Sequence, residues 1–301
     1  MFNLILAVLI AISTIVGSTD IVENFNRDIN GHRSEVSADT NLPDWISNTV
    51  PQGEKIAEGS ISTDAKSIYV VDISNGQVLE AQNENQRLPV ASLTKLMTAY
   101  LILKNQNLDR EVIVPSFSVR SDDSLAGIVK GEVFTVRDLL KGLLINSGGD
   151  SAQTLAVIDS GSYTAFVAKM NAEAKRLGLD NSHFDNPVGW DSQENYSSAK
   201  DISNLARILL NNSFFSETVA QRSAVITAKS GRKINLTNTN LLLNGSDIIG
   251  VKTGYTYQAG ECLVNLRQKE GHRIMTVVIG SADRFGQTRR LLDWIYTHFI
   301  W

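Results

Sequence analysis

The strongest constraint on the fold is a change of hydrophobic period that occurs twice along the chain. Ser67-Ile-Tyr-Val-Val-Asp-Ile and Gln77-Val-Leu-Glu-Ala are β-prone runs separated by the turn-prone pair Asn75-Gly76, which predicts a hairpin. After Pro89 the period changes: Leu93, Leu96, Met97, Tyr100, Leu101 and Leu103 fall at helical spacing. Helical character recurs over 136–145, 151–158, 163–177 and 198–210, punctuated by glycines such as Gly142, Gly161 and Gly178. Strand character then returns over 223–228, 233–236, 248–252, 261–267 and 273–279. Lys269-Glu270-Gly271 is a turn joining the last two, and a periodic run from Phe285 to Phe299 predicts a covering helix. Strands at both ends with helices between them predict an α+β fold: an antiparallel β-sheet flanked by helices, with an inserted, mostly helical subdomain.

A chain of 301 residues with 43% apolar content can fill a sizeable core. The net charge of -4, with no basic run longer than a pair, argues against a nucleic-acid partner. The single cysteine, Cys262, excludes an internal disulfide and cysteine-clustered metal sites, and its apolar surroundings predict a buried structural thiol. His32, His183, His272 and His298 form no ligand spacing, so neither a metal nor another cofactor is implied. Residues 1–18 are almost continuously apolar and fit a signal-peptide core, cleaved after export or kept as an N-terminal membrane anchor, although the usual leading lysine or arginine is missing. Both readings place the folded part outside the cytoplasm. Residues 19–60 read as a polar linker, and 61–301 as the folded domain that carries the candidate chemistry.

Three segments carry candidate chemistry. In Pro89-Val-Ala-Ser92-Leu-Thr-Lys95, a serine in the first turn of a helix would have Lys95 directly above it, so the amine can reach the hydroxyl. A buried lysine held neutral can take the proton that makes serine a nucleophile, and the helix start offers N–H groups to a developing oxyanion. The same segment also fits a capped helix start with a solvated lysine. In Ser147-Gly148-Gly149-Asp150 an apolar run stops in a loop that can project Ser147 toward Ser92 and relay a proton; a helix C-cap explains the glycines equally. In Gly250-Val-Lys252-Thr253-Gly254-Tyr255, Lys252 and Thr253 at a strand end can hold a carboxylate, and Gly254 leaves room for a substrate backbone; an exposed strand end is the competing reading. The coincidence of all three, in this order, is what favours chemistry.

SLTK at Ser92–Lys95, SGGD at Ser147–Asp150 and KTG at Lys252–Gly254 resemble the three active-site motifs of penicillin-binding proteins and serine β-lactamases. The flanking LPVASLTKLMTAYLIL, GEVFTVRDLLKGLLINSGGDSAQTLA and IIGVKTGYTYQAGECLV are closer still to the low-molecular-mass D-alanyl-D-alanine carboxypeptidases, a resemblance covering about Ser67 to His298. It implies that Ser92 attacks the carbonyl between the terminal D-alanines of a peptidoglycan stem peptide while Lys95 accepts its proton. Ser147 would pass a proton to the departing D-alanine, and Lys252 and Thr253 would orient its carboxylate. The N–H groups of Ser92 and Tyr255 would form the oxyanion hole, and β-lactams would acylate Ser92 as covalent inhibitors. The alternatives within the resemblance are a D,D-endopeptidase and a catalytically weak peptidoglycan-binding relative. A β-lactamase is disfavoured because no Glu-x-x-Leu-Asn segment follows the second motif.

Two departures stand out. The second motif usually reads serine, any residue, asparagine, the amide helping to hold both the substrate carbonyl and the first-motif lysine; Gly149 carries no such group. Many relatives also continue into a β-rich module and an amphipathic anchor, whereas this sequence stops soon after the predicted covering helix, so any tether is expected from the apolar N-terminus. Arg284, in Ala282-Asp-Arg-Phe, falls near where relatives often carry a cleft arginine but equally fits a surface Asp–Arg pair.

Overall fold

The computed structural model describes residues 50–120, 123–245 and 247–301; the apolar segment 1–18 and most of the stretch assigned as linker lie outside them. The hairpin forms as read, with β2 at Ser67–Asp72 and β3 at Gln77–Gln82, preceded by a two-residue strand β1 at Glu54–Lys55. The chain then passes through a 3₁₀ turn, Ala91–Thr94, into α1, Lys95–Asn105. A short ribbon, β4 at Glu111–Ile113 with β5 at Val133–Thr135, leads into four helices: α2 Val136–Ile145, α3 Gly149–Ser160, α4 Tyr163–Arg176 and α5 Ala199–Leu209. The short helix α6, Ser213–Val219, precedes β6 Ser223–Thr227 and β7 Lys233–Thr237. Three long strands follow, β8 Ile248–Thr256, β9 Gly260–Lys269 and β10 His272–Ser281, then α7 Arg284–His298 and β11 Phe299–Ile300.

The main sheet is antiparallel with strand order β3-β2-β10-β9-β8, so the N-terminal hairpin does pair with the C-terminal strands. Every residue of β2 is buried, and the alternation of side chains explains why. Ile68 and Val70 face α7 together with Ile274, Val278, Leu291 and Ile295, while Tyr69 and Val71 face the helical block with Met275, Val277 and Val264. A strand covered on both faces needs apolar residues in both registers, and its continuous run supplies them. Two of the strands read from sequence, β6 and β7, pair only with each other and stand apart from this sheet. Glu54 and Lys55, within the stretch read as linker, pair with Ile300 and Phe299.

The helical block is organised round α1, whose Leu96, Met97, Ala99 and Ile102 are fully buried. Side-chain caps fix where its neighbours begin: Thr135 accepts from Asp138 N, Ser162 from Ala165 N and Ser198 from Asp201 N. Among the described residues no helix is long and apolar enough to cross a membrane.

Candidate active site

The three motifs meet in a cleft of about 140 Å³ where the 3₁₀ turn, the start of α3 and the edge strand β8 converge. Ser92, Lys95, Ser147, Thr253, Gly254 and Tyr255 all line it. Ser92 lies one residue before the end of the 3₁₀ turn's central pair, ahead of α1 rather than inside it, and Ala91 beside it holds φ at 49°. That left-handed conformation is costly for a residue with a Cβ, as is the φ of 58° at Ser147 itself. Both strained positions flank or carry a motif serine.

Lys95 Nζ lies 2.7 Å from Ser92 Oγ and donates to the Val188 carbonyl at 2.7 Å. That carbonyl is aimed by an asparagine-built turn: Asn186 Oδ1 accepts from the N–H groups of Val188, Gly189 and Trp190. Burial pulls the Lys95 amine down from 10.5 to about 7, against the opposing charges of Asp123 and Asp150. Near neutral pH a large share of Lys95 therefore has a free lone pair facing the serine hydroxyl. An isolated lysine in water would be almost wholly protonated there.

Lys252 is buried and donates to Ser147 Oγ at 2.8 Å and to the Thr253 carbonyl at 2.9 Å. Burial, Lys95 and Arg284 hold its amine well below the ordinary lysine range. The two lysine–serine pairs thus face each other across one small volume. Thr253 Oγ1 shares a 2.6 Å hydrogen bond with Thr239 Oγ1 on the cleft wall.

A Cβ on Gly254 would stand 3.0 Å from the Val90 carbonyl, 3.2 Å from Ala91 Cβ and 3.2 Å from Ser92 N, so the glycine makes room for the nucleophile's own turn. The same closeness brings the Tyr255 end of β8 alongside the Ser92 backbone.

Five further lining residues carry polar chemistry that the motifs do not contain: Asp123, Ser124, Trp190, Thr239 and Arg284. Arg284 caps the cleft from the start of α7, its Nη1 donating to the Gly254 carbonyl at 2.8 Å. The sequence signal for it was the Ala282-Asp-Arg-Phe segment; Asp123, Trp190 and Thr239 sit in loops with no period or motif to mark them. Cys262 is fully buried and its thiol is raised to about 11 by that burial. Among the described residues no group of three or more His, Cys, Asp or Glu side chains is arranged to hold a metal ion.

Fold and cleft together define the β-lactamase/transpeptidase-like class, an antiparallel sheet and a helical block with a serine–lysine pair between them. Within that class the chain belongs to the D-alanyl-D-alanine carboxypeptidase family, whose model matches residues 54–283. It is 35% identical over 260 residues to D-alanyl-D-alanine carboxypeptidase DacF of Bacillus subtilis, covering 82% of this chain and 65% of that protein. It is 31% identical to DacB2 of Mycobacterium tuberculosis over 76% of this chain and 81% of that protein. The chain spans less than two thirds of DacF and, at 62%, of DacC of Escherichia coli. Among solved structures, the Streptomyces K15 DD-transpeptidase superimposes with a TM-score of 0.75 at 30% identity, covering 80% of this chain and all of that one.

Proposed function

We propose that the chain is a serine D-Ala-D-Ala carboxypeptidase that removes the terminal D-alanine of peptidoglycan stem peptides through an acyl-enzyme on Ser92. The observation that carries this reading is the 2.7 Å approach of Lys95 Nζ to Ser92 Oγ, with burial lowering that amine to about 7. Ser92 O–H gives its proton to the Lys95 lone pair as Oγ attacks the carbonyl carbon, and the oxyanion that forms is held by the N–H groups of Ser92 and Tyr255. Collapse breaks the C–N bond. Ser147 Oγ–H then protonates the departing amine and is reloaded from Lys252, the donor already bonded to it. The proton held on Lys95 passes back to the Ser147–Lys252 pair, which gave one to the leaving amine, so neutral Lys95 can take a proton from the attacking water and return it to Ser92 Oγ as the ester breaks.

The bonding of Lys252 supports a task in proton relay and local field. Recognition of the substrate's carboxylate falls to Arg284, Thr253 and Thr239, which line the open side. The likeness to the Streptomyces K15 DD-transpeptidase favours a second fate for the same acyl-enzyme, aminolysis by an acceptor amine. A stem-peptide substrate and an apolar leader both argue for a place outside the cytoplasm.

The test is intact-mass analysis after incubation with a labelled penicillin, paired with D-alanine release from a peptide ending in D-Ala-D-Ala. One adduct per chain, lost in Ser92→Ala, with release of free D-alanine, is the expected result. A label that persists in Ser92→Ala would sink the mechanism, and acylation without D-alanine release would leave only the penicillin-binding reading.

A further inference from the structure

The second motif carries no side chain at Gly149, yet the space beside that residue is faced by a carboxylate. An ideal Cβ on Gly149 would lie 3.5 Å from Asp123 Cγ, so the loop before β5 brings Asp123 to the side of the cleft that the motif's third residue addresses. Its two oxygens each have a donor. Trp190 Nε1 donates to Oδ1 at 2.6 Å, and the Arg120 N–H to Oδ2 at 2.8 Å. The Arg120 guanidinium in turn lies 4.1 Å over the Trp190 ring, which clamps the indole that holds the carboxylate.

Asp123 lines the same cleft as Ser92 and Lys95. Asp150 is the other carboxylate whose charge acts on Lys95, but it is buried and occupied by four backbone N–H groups, those of Ala126, Gly127, Ile128 and Ser151. At Lys252 it is burial, with the charges of Lys95 and Arg284, that disfavours a second positive charge.

We propose that Asp123 is a positioning residue for acylation, its carboxylate standing beside Gly149 and stabilising the Lys95 ammonium that forms when Ser92 gives up its proton. The assignment rests on the Ser92–Lys95 reading above. It divides the task that the family's asparagine performs alone: the carboxylate serves the lysine, and because an ionised carboxylate only accepts hydrogen bonds, it leaves the substrate carbonyl without a side-chain donor. Asp123 raises the Lys95 amine against the lowering effect of burial. Removing its charge must therefore move the amine further down.

The experiment is the rate of Ser92 acylation by a fluorescent penicillin across pH 5 to 10 in the native chain, Asp123→Asn and Trp190→Phe. In Asp123→Asn the acid limb is expected to move to lower pH by about half a unit or more, the scale of one nearby charge, while the alkaline plateau falls severalfold. Trp190→Phe, which keeps the charge but frees the carboxylate, should displace the limb in the same direction by less. A role confined to loop structure would lower the plateau and leave the limb in place, so an unmoved or upward-moved limb in both variants overturns the assignment. If the native chain acylates at Ser92 and only the limb fails to move, Asp123 is wrong and the nucleophile stands. If Ser92→Ala is labelled as strongly as the native chain, both fall together.

Discussion

Gly149→Asn restores the amide that the family's second motif usually carries, and the structure sets what it should do. Gly149 is the first residue of α3 and is not among the glycines with positive φ. A Cβ there would meet Val188 Cγ1 at 3.4 Å and Asp123 Cγ and the Ser124 carbonyl at 3.5 Å, ordinary contact distances that require no backbone movement. Its neighbour provides an internal control: a Cβ on Gly148 would stand 2.7 Å from Asp150 Oδ1 and 2.9 Å from the Ala126 N. Asparagine at 149 should therefore fold at least as well as glycine, and at 148 it should not. With Asp123 accepting one amide N–H, the other is free to point at the substrate carbonyl. One added hydrogen bond in the transition state is worth about 0.5–1.5 kcal/mol, so kcat/KM for D-alanine release should rise roughly two- to tenfold. Steady-state kinetics on a D-Ala-D-Ala peptide, with thermal melts of both variants, decides it. A well-folded Gly149→Asn with unchanged or lower kcat/KM would refute the reasoning, as would a fully stable Gly148→Asn.

The remaining expectations are shorter. Native acylation should rise with pH through about 7 as Lys95 loses its proton, and a limb near 10 in the rate profile would contradict a buried neutral base. The unfolded chain binds a proton on that lysine up to about 10.5 and the folded chain only up to about 7, so this group makes stability rise with pH across that window. Lys95→Met should remove that slope and stabilise the fold at pH 7 by about 2–4 kcal/mol while abolishing acylation; denaturant melts at pH 7 and 10 measure it. Arg284→Ala should erode the preference for a free over an amidated C-terminal D-alanine by roughly tenfold in kcat/KM, about 1.4 kcal/mol. An unchanged ratio would remove Arg284 from carboxylate recognition. Cys262, buried and raised to about 11, should resist alkylation at pH 8 until denaturant is added, as mass spectrometry would show.

Legibility followed periodicity. The run 136–145 was bounded correctly because a capping threonine precedes its apolar stripe, and β9 and β10 fell within a residue or two of their observed ends because both are long and turn at Glu270-Gly271. Helix α6 was missed: it has seven residues, too few for a period, and is held by the burial of Phe215 and Val219 rather than by propensity. The ribbon β4–β5 is three residues a side, below any alternation signal. The site was legible wherever chemistry sat in a contiguous motif. Ser92 and Lys95, three positions apart, do approach within hydrogen-bond reach, and Ser147 and Lys252 join them from remote segments. The loop residues Asp123, Trp190 and Thr239 were not legible, since only the tertiary fold brings them to the cleft.

The pairing of β2 with β10 has a consequence for how the molecule comes into being. Asp72 and His272 are hydrogen-bonded partners 200 positions apart. At ordinary elongation rates roughly 10–40 s separate their synthesis. Throughout that interval the β2–β3 hairpin exists with an apolar strand that has neither its neighbour nor either covering layer, the kind of open edge on which chains aggregate. Closing so long a loop is slow. The acyl-transfer machinery inherits the delay. Ser92 and Lys95 are made early, but β8, the edge strand that completes their cleft, is followed by only three more strands, so a partly synthesised molecule holds a nucleophile without the wall that would let it react.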